Sequence, residues 1–270
     1  LNDAFRDVRR GGAAAVSVYG PSGIGKSALV QRFVGQFGAR DDVVVLSGRC
    51  YENESVPFKA LDGVVDDLSR YLRSLPRQHV EKLLPPDVPA LTRVFPVLLQ
   101  VDAIANARRD QEPGSMDPSA LRRLAFETLR ELLRRLAKYR SLVVWIDDLQ
   151  WADRDSAVLL EVLLQHPGPP ALLTLLCFRS EETAGNPLLK SLLDRSGRDG
   201  WTDVSLEPMT EDESISLLGD LLPVDSALTT DDKARMTQDA GGSPFVLEQL
   251  ARYAAVDGTR SHRAPTFAAM

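Results

Sequence analysis

Residues 13–33 read AAAVSVYGPSGIGKSALVQRF, and within them Gly20-Pro-Ser-Gly-Ile-Gly25-Lys26-Ser27 fits the spacing G-x-x-x-x-G-K-[ST]. Each fixed position has a chemical task. Glycines let a backbone curl round a phosphate with its N–H groups pointing inward. A helix opening at Lys26 would add the positive end of its dipole to the same spot. Lys26 supplies a mobile cation for the β- and γ-phosphates, and the Ser27 hydroxyl is a ligand for magnesium. The binding set is therefore Gly20, Pro21, Ser22, Gly23, Ile24, Gly25, Lys26, Ser27 and Ala28. The chain is expected to bind a nucleoside triphosphate with Mg²⁺.

A second set of candidates lies at Leu142-Val-Val-Trp-Ile146-Asp147-Asp148, an apolar run that ends in two carboxylates. Magnesium prefers oxygen ligands and keeps several waters, so one or two protein groups beside the phosphates suffice. Asp147, at the carboxyl end of a strand, is the candidate to hold that ion through a water. Asp148 comes next as the group to orient or deprotonate the attacking water. Ala171–Phe178 is another apolar run and ends at Arg179. That arginine can touch a γ-phosphate, or pair with Glu181 or Glu182; residue types alone leave both open.

Elements must bring these groups together. Strand-like runs at Ala13–Tyr19, Val43–Ser47, Leu142–Asp147, Ala171–Phe178 and Thr202–Leu206 alternate with helical patterns at Ser27–Phe37, Pro118–Tyr139, Arg154–Gln165 and Pro187–Arg195. Such alternation predicts a parallel sheet covered by helices on both faces. Ligands of open parallel sheets bind at the carboxyl edge, where the loop and both acids are expected. Asp117 and Asp153 read as N-caps. The interval of about 52–140 is a helical insertion with patterns at Phe58–Ser74, Gln78–Leu84 and Pro89–Val101, then an exposed loop at Ala103–Asp117 around Pro113-Gly114. The arginines of 119–140 suggest a solvated basic face. After Leu206 only helical patterns remain, at Glu211–Leu222, Ala227–Gln238 and Ser243–Val256. The predicted domains are a nucleotide-binding domain over 1–206, a helical lid over 207–256 and a tail over 257–270.

Composition sets limits. The 270 residues are 44% hydrophobic and 26% charged, with a formal net charge of -6. That balance is ordinary for a globular protein and argues against a dedicated nucleic-acid surface. The longest apolar runs are too short to cross a bilayer, and no secretory signal is visible, so a cytoplasmic location is expected. Cys50 and Cys177 sit in or beside apolar runs and read as buried thiols. His79, His166 and His262 show no ligand spacing. The chain starts inside a helix-like LNDAFRDVRR and reads as a piece of a longer protein.

GPSGIGKS, WIDDLQWAD (Trp145–Asp153), CFRSEE and AGGSPFVLEQL (Ala240–Leu250) together resemble the STAND class of P-loop ATPases, the signal-transduction ATPases with numerous domains related to AAA+ proteins. The likeness is strongest to bacterial modules fused to kinases, cyclases or transcription regulators. It implies an ASCE/AAA+-like P-loop NTPase sheet of order 5-1-4-3-2 followed by a small all-helical domain. It also implies a first-sensor role for Arg179 and a position near the adenine for Pro244 of Gly242-Ser243-Pro244. By residue pattern alone those last residues need only end one helix and cap the next. The resemblance further implies ATP and ADP as alternating ligands, attached sensor and effector domains, nucleotide-dependent self-association and slow turnover. The upstream F-x-G-R-[ED] element of the class is absent, and Leu1–Arg10 is similar to its downstream remainder. No arginine finger is assigned, though Arg122 and Arg123 are candidates.

The leading expectation is an ATP-hydrolysing switch module. Rival readings are an AAA+ type DNA-acting initiator or loader, and a non-hydrolysing nucleotide-dependent interaction platform. The first rival requires a positive patch that this acidic chain does not advertise. The second conflicts with the intact set Lys26, Ser27, Asp147 and Asp148. A GTPase would need [NT]-K-x-D, which does not occur.

Overall fold

The computed structural model describes residues 1–38, 40–52, 58–109, 117–164, 168–195, 200–222, 226 and 228–257. The chain opens with α1 (Asn2–Arg9), β1 (Ala14–Gly20), α2 (Lys26–Gly35) and β2 (Val43–Arg49). Helices α3 (Lys59–Ser74), α4 (Arg77–Leu83), α5 (Val88–Val94), α6 (Asp102–Arg109) and α7 (Pro118–Leu136) precede β3 (Ser141–Asp147). Then come α8 (Arg154–Leu164), β4 (Leu172–Arg179), α9 (Pro187–Leu193) and β5 (Trp201–Ser205). The last elements are α10 (Glu211–Leu221), α11 (Thr230–Ala240) and α12 (Pro244–Asp257).

The strands form one parallel sheet of order β2-β3-β4-β1-β5, flanked by helices, which is the expected 5-1-4-3-2 read from the other edge. Register between β2 and β3 runs from Val43 opposite Ser141 to Arg49 opposite Asp147. Between β3 and β4 it runs from Leu142 opposite Leu172 to Ile146 opposite Leu176. Leu172 through Phe178 are all buried, as a central strand covered on both faces requires.

Two compact units emerge. The first comprises Leu1–Val18, Val30–Phe178 and Glu182–Val204; the second comprises Tyr19–Leu29, Arg179–Glu181 and the chain from Ser205 onward. In the first unit, α3 lies directly on β2. A Cβ built on Gly48 would stand 2.7 Å from the Ala60 carbonyl oxygen, and one on Gly63 would stand 3.0 Å from the Gly48 Cα. Two positions without side chains thus let the helix approach the strand. Leu61, Val65, Leu68 and Leu72 of α3 are buried, as are Leu129, Leu132, Leu133 and Leu136 of α7. Phe58 packs against Phe95 and Phe126, at ring separations of 5.4 and 5.5 Å.

Several basic side chains of α7 are engaged with neighbouring groups. Arg134 and Arg135 share Glu131, each at 2.7 Å, and Arg130 donates to the Gly168 carbonyl at 2.8 Å. The Arg134 hydrogen bond pulls the Glu131 carboxyl down to about 2, against the opposing effect of burial and with help from Arg135. Asp117 accepts the Ser119 and Ala120 amides and caps α7 as expected, and Asp153 does the same for Ser156 of α8.

Two expectations need correction. The segment from Ala103 was expected to be an exposed loop, yet α6 runs to Arg109, because Ala103 and Ile104 are buried and give its first turn an apolar face. Pro113 and Gly114 lie outside the described residues, as do Ala227, His166, His262 and the tail beyond Asp257. The pattern at Pro89–Val101 was expected to be one helix; Pro96 divides it into α5 and a short 3₁₀ turn at Pro96–Gln100.

The second unit has its own core, in which Leu218, Leu222, Met236, Leu247, Leu250 and Ala254 are buried together. Capping boxes start α10 (Thr210 with Glu213) and α11 (Thr229 with Asp232), and Gly241 ends α11 in the left-handed region at φ 54°. No helix among the described residues is long and apolar enough to cross a membrane. Cys50 and Cys177 are buried thiols that form no disulfide.

Candidate functional site

β1 delivers the chain into the loop, and positive φ angles turn it: +76° at Gly23 and +95° at Gly25. A Cβ on Gly20 would lie 2.5 Å from the Leu206 carbonyl oxygen, so backbone passes where a side chain would stand. Lys26 opens α2 and is 8% exposed. Its Nζ donates to the carbonyls of Gly20 at 2.8 Å and Pro21 at 2.7 Å, folding the ammonium back over the loop that precedes it. Ser27 and Ala28 lie in the first turn of α2, Ser27 half-buried and Ala28 exposed; Ile24 is buried beneath the loop, and Pro21 and Ser22 are exposed.

The turn before α12 sits on this loop. The Gly23 carbonyl accepts the Phe245 amide at 3.2 Å and the Ser243 hydroxyl at 3.3 Å. A Cβ on Gly23 would meet Ser243 Oγ at 3.1 Å and Phe245 Cβ at 3.2 Å. Pro244 Cγ stands 3.9 Å from the Cβ position of Gly25. Ser243 also caps α12 weakly, accepting the Val246 amide at 3.4 Å. Gly242-Ser243-Pro244 thus does more than cap a helix: it touches the loop at Gly23 and Gly25.

Glu181 is a further neighbour of the loop. Its Oε1 accepts the Ser22 amide at 3.0 Å, and its Oε2 accepts the Ser180 hydroxyl at 3.2 Å. Burial acts to raise its pKa, but its own backbone amide, the Ser22 amide, Ser180 and the charge of Lys26 together hold the carboxyl below its ordinary value. Arg179, two residues earlier, is half-buried at the end of β4.

The acid pair belongs to the first unit. Asp147 ends β3 and is 6% exposed; its carbonyl accepts the Cys50 amide at 3.0 Å. Asp148 then takes the left-handed conformation, φ 53° and ψ 40°, rare for a residue other than glycine. Its Oδ2 accepts a hydrogen bond from Arg49 Nε at 2.9 Å and pairs with the Arg49 Nη2 at 2.8 Å, and its Oδ1 accepts Gln150 Nε2 at 2.9 Å. The Asp148 hydrogen bond, opposed by burial and aided by the charges of Asp148 and Asp147, holds the Arg49 guanidinium above its ordinary value. The third acid of WIDDLQWAD is structural. Asp153 accepts the Phe58 amide at 2.9 Å and the Ser156 amide at 3.1 Å, tying the entry of α3 to the start of α8.

These donors fit a hard cation of the magnesium type. Ser27 in the second unit and Asp147 in the first each carry an oxygen donor of the kind such a cation takes, and among the described residues no three His, Cys, Asp or Glu side chains are grouped to hold a metal ion. The turned glycines and the lysine likewise fit a triphosphate. Arg122 pairs with Asp155 at 3.5 Å.

Sequence reasoning missed three participants. Arg49 had a signal, since a charged side chain at the carboxyl end of a parallel strand stands at the ligand edge. Gln150 and the bond from Ser22 to Glu181 carry no local signal.

Comparison with known proteins adds a family. A family model described as an AAA ATPase domain matches residues 1–176. No curated protein matches. Among solved structures, Cdc6p from Pyrobaculum aerophilum superposes with a TM-score of 0.54 at 14% identity, over 94% of this chain and 59% of that one. A RuvB variant from Thermotoga maritima gives 0.48 at 16% identity, over 98% and 63%. A STAND protein with a tetratricopeptide repeat sensor from Pyrococcus horikoshii gives 0.44 at 15% identity, over 92% and 28%. The chain therefore spans about three fifths of the length of the first of these, and less than a third of the last.

Proposed function

The chain belongs to the AAA ATPase domain family, and from that premise we propose that it is an ATP-binding, slowly ATP-hydrolysing switch module of the STAND class, part of a larger signalling or transcription-regulatory protein. The loop Gly20–Ala28 takes the triphosphate, with Lys26 as its cation. Ser27 and Asp147 hold the magnesium, which on binding withdraws charge from the phosphates. Asp148 orients the attacking water and accepts its proton as the water oxygen bonds to the γ-phosphorus and ADP departs. Arg179 and Pro244 act as γ-phosphate sensor and nucleotide contact.

The observation that carries the switch reading is the double hydrogen bond onto Gly23. One carbonyl of the phosphate loop holds both Ser243 and Phe245, at 3.3 and 3.2 Å. Whatever ligand alters the loop therefore acts on the start of α12, and a local change at the phosphates is passed to the helical segment. WIDDLQWAD and the Gly242-Ser243-Pro244 contact support the STAND class in particular. Roles for attached domains, self-association and a cytoplasmic setting belong to the same proposal.

The test is calorimetry with ATP and Mg²⁺ on the purified chain, phosphate release in the same sample, and limited proteolysis of the 240–257 region with ATP, ADP or neither. Binding, slow release and a nucleotide-dependent cleavage pattern support the switch. Binding with an unchanging cleavage pattern favours an interaction platform, and the absence of binding overturns the assignment.

A further inference from the structure

The phosphate loop already holds an anion of its own. The Ser22 amide donates to Glu181 Oε1 at 3.0 Å, across 159 residues of sequence. Loop amides of this kind are the groups that receive phosphate oxygens, and the lysine of the loop is the cation that reaches the β- and γ-phosphates. Lys26 acts on Glu181 electrostatically and helps keep it ionised. The carboxylate is also steadied by the Ser180 hydroxyl at 3.2 Å, within the same short segment that leaves β4. Glu181 and a bound phosphate chain thus draw on the same positive field.

We propose that Glu181 is a specificity-determining charge gate on the phosphate loop, biasing the module toward nucleoside diphosphate over triphosphate. The inference rests on the nucleotide-binding reading given above. A diphosphate brings less negative charge to the lysine end of the loop than a triphosphate does. A fixed carboxylate there repels the additional phosphate, and the repulsion falls on ATP more than on ADP. Nothing in the gate requires Glu181 to touch the reacting atoms.

Glutamine separates charge from contact. Glu181→Gln keeps an oxygen that can accept the Ser22 amide and removes only the charge, whereas Glu181→Ala removes both. Titration of the full chain with Mg-ATP and with Mg-ADP, at low and high salt, reads the two affinities. The gate predicts that Glu181→Gln tightens ATP binding by about three- to tenfold at low salt while moving ADP binding much less, with the difference shrinking as salt rises. A Glu181→Gln protein with the wild-type ratio of ATP to ADP affinity overturns the gate and leaves nucleotide binding standing. Weakened binding of both nucleotides in Glu181→Gln also overturns it and makes the carboxylate a structural tie for the loop. If wild type and Glu181→Gln both bind neither nucleotide, the functional reading and the gate fall together.

Discussion

Arg49 and Asp148 are joined by a hydrogen bond from Nε to Oδ2 at 2.9 Å and by an ion pair that brings Nη2 within 2.8 Å of the same oxygen. Arg49 ends β2 and Asp148 stands one residue past the end of its neighbour β3, 99 positions away in sequence. Gln150 holds the other oxygen at 2.9 Å. An acid gripped on both oxygens is aimed, and it must give up part of that grip as it takes a proton from water. The pair therefore bears directly on how fast the module can turn over.

Removing the grip should release the acid. Arg49→Ala is expected to raise phosphate release several-fold, within about tenfold, since a charge-assisted bond contributes roughly 1–2 kcal/mol at a partly exposed site. ATP affinity should change little. A phosphate-release assay that finds lower turnover at unchanged affinity would make Arg49 a helper of the chemistry instead of a restraint.

Asparagine is the informative replacement at Asp148. It tolerates φ 53° and keeps the shape and polarity of the side chain, but cannot act as a base. Turnover of Asp148→Asn should drop by about 100-fold or more while ATP stays bound, read by single-turnover phosphate release. Unchanged turnover removes Asp148 from the mechanism.

Lys26→Ala should weaken ATP binding on the order of 100-fold, because the loop loses its cation and the Gly20 and Pro21 carbonyls lose their donor. Circular dichroism should stay that of the wild type, and calorimetry gives the affinity. Retained affinity in the folded variant would refute a phosphate role for the lysine.

Gly48→Ala tests the contact of strand and helix. Its Cβ would press within 2.7 Å of backbone at Ala60, which cannot turn away as a side chain can. Destabilisation of about 2 kcal/mol is expected, seen as a lower denaturant midpoint. A midpoint equal to that of the wild type would mean that α3 can lift off β2 at no cost.

Acid should expose the Glu131 pairs. The folded carboxyl titrates at about 2 against an ordinary 4.5, so its contribution is present above 4.5 and is lost as pH falls toward about 2. Both arginines are partly exposed, so screening limits the effect to on the order of 1 kcal/mol. Glu131→Gln should melt below the wild type at pH 7 and approach it near pH 2. A gap that persists in acid would point to packing instead of charge.

Local pattern carried much of this protein. GPSGIGKS prescribes a turn only glycines can make, and the angles at Gly23 and Gly25 result from it. Asp117 and Asp153 cap helices because their side chains reach amides two or three residues on. The apolar runs declared themselves as buried strands, and their alternation with helices made a parallel sheet. Where the pattern was weakest it failed: the two buried residues at Ala103 and Ile104 were too few to announce α6.

What sequence alone could not decide is who meets whom. Apolar runs are interchangeable in pattern, so the order β2-β3-β4-β1-β5 came from a resemblance and not from periodicity. Asp147 and Asp148 are identical side chains, and only the fold buries one at the end of β3 and turns the other to Arg49. In sequence Glu181 reads only as one of two acids open to Arg179, and the exit of β4 is what brings it to the Ser22 amide. Backbone conformation and burial are written over a few neighbouring residues; pairing across 99 or 159 positions exists only once the strands have taken their places.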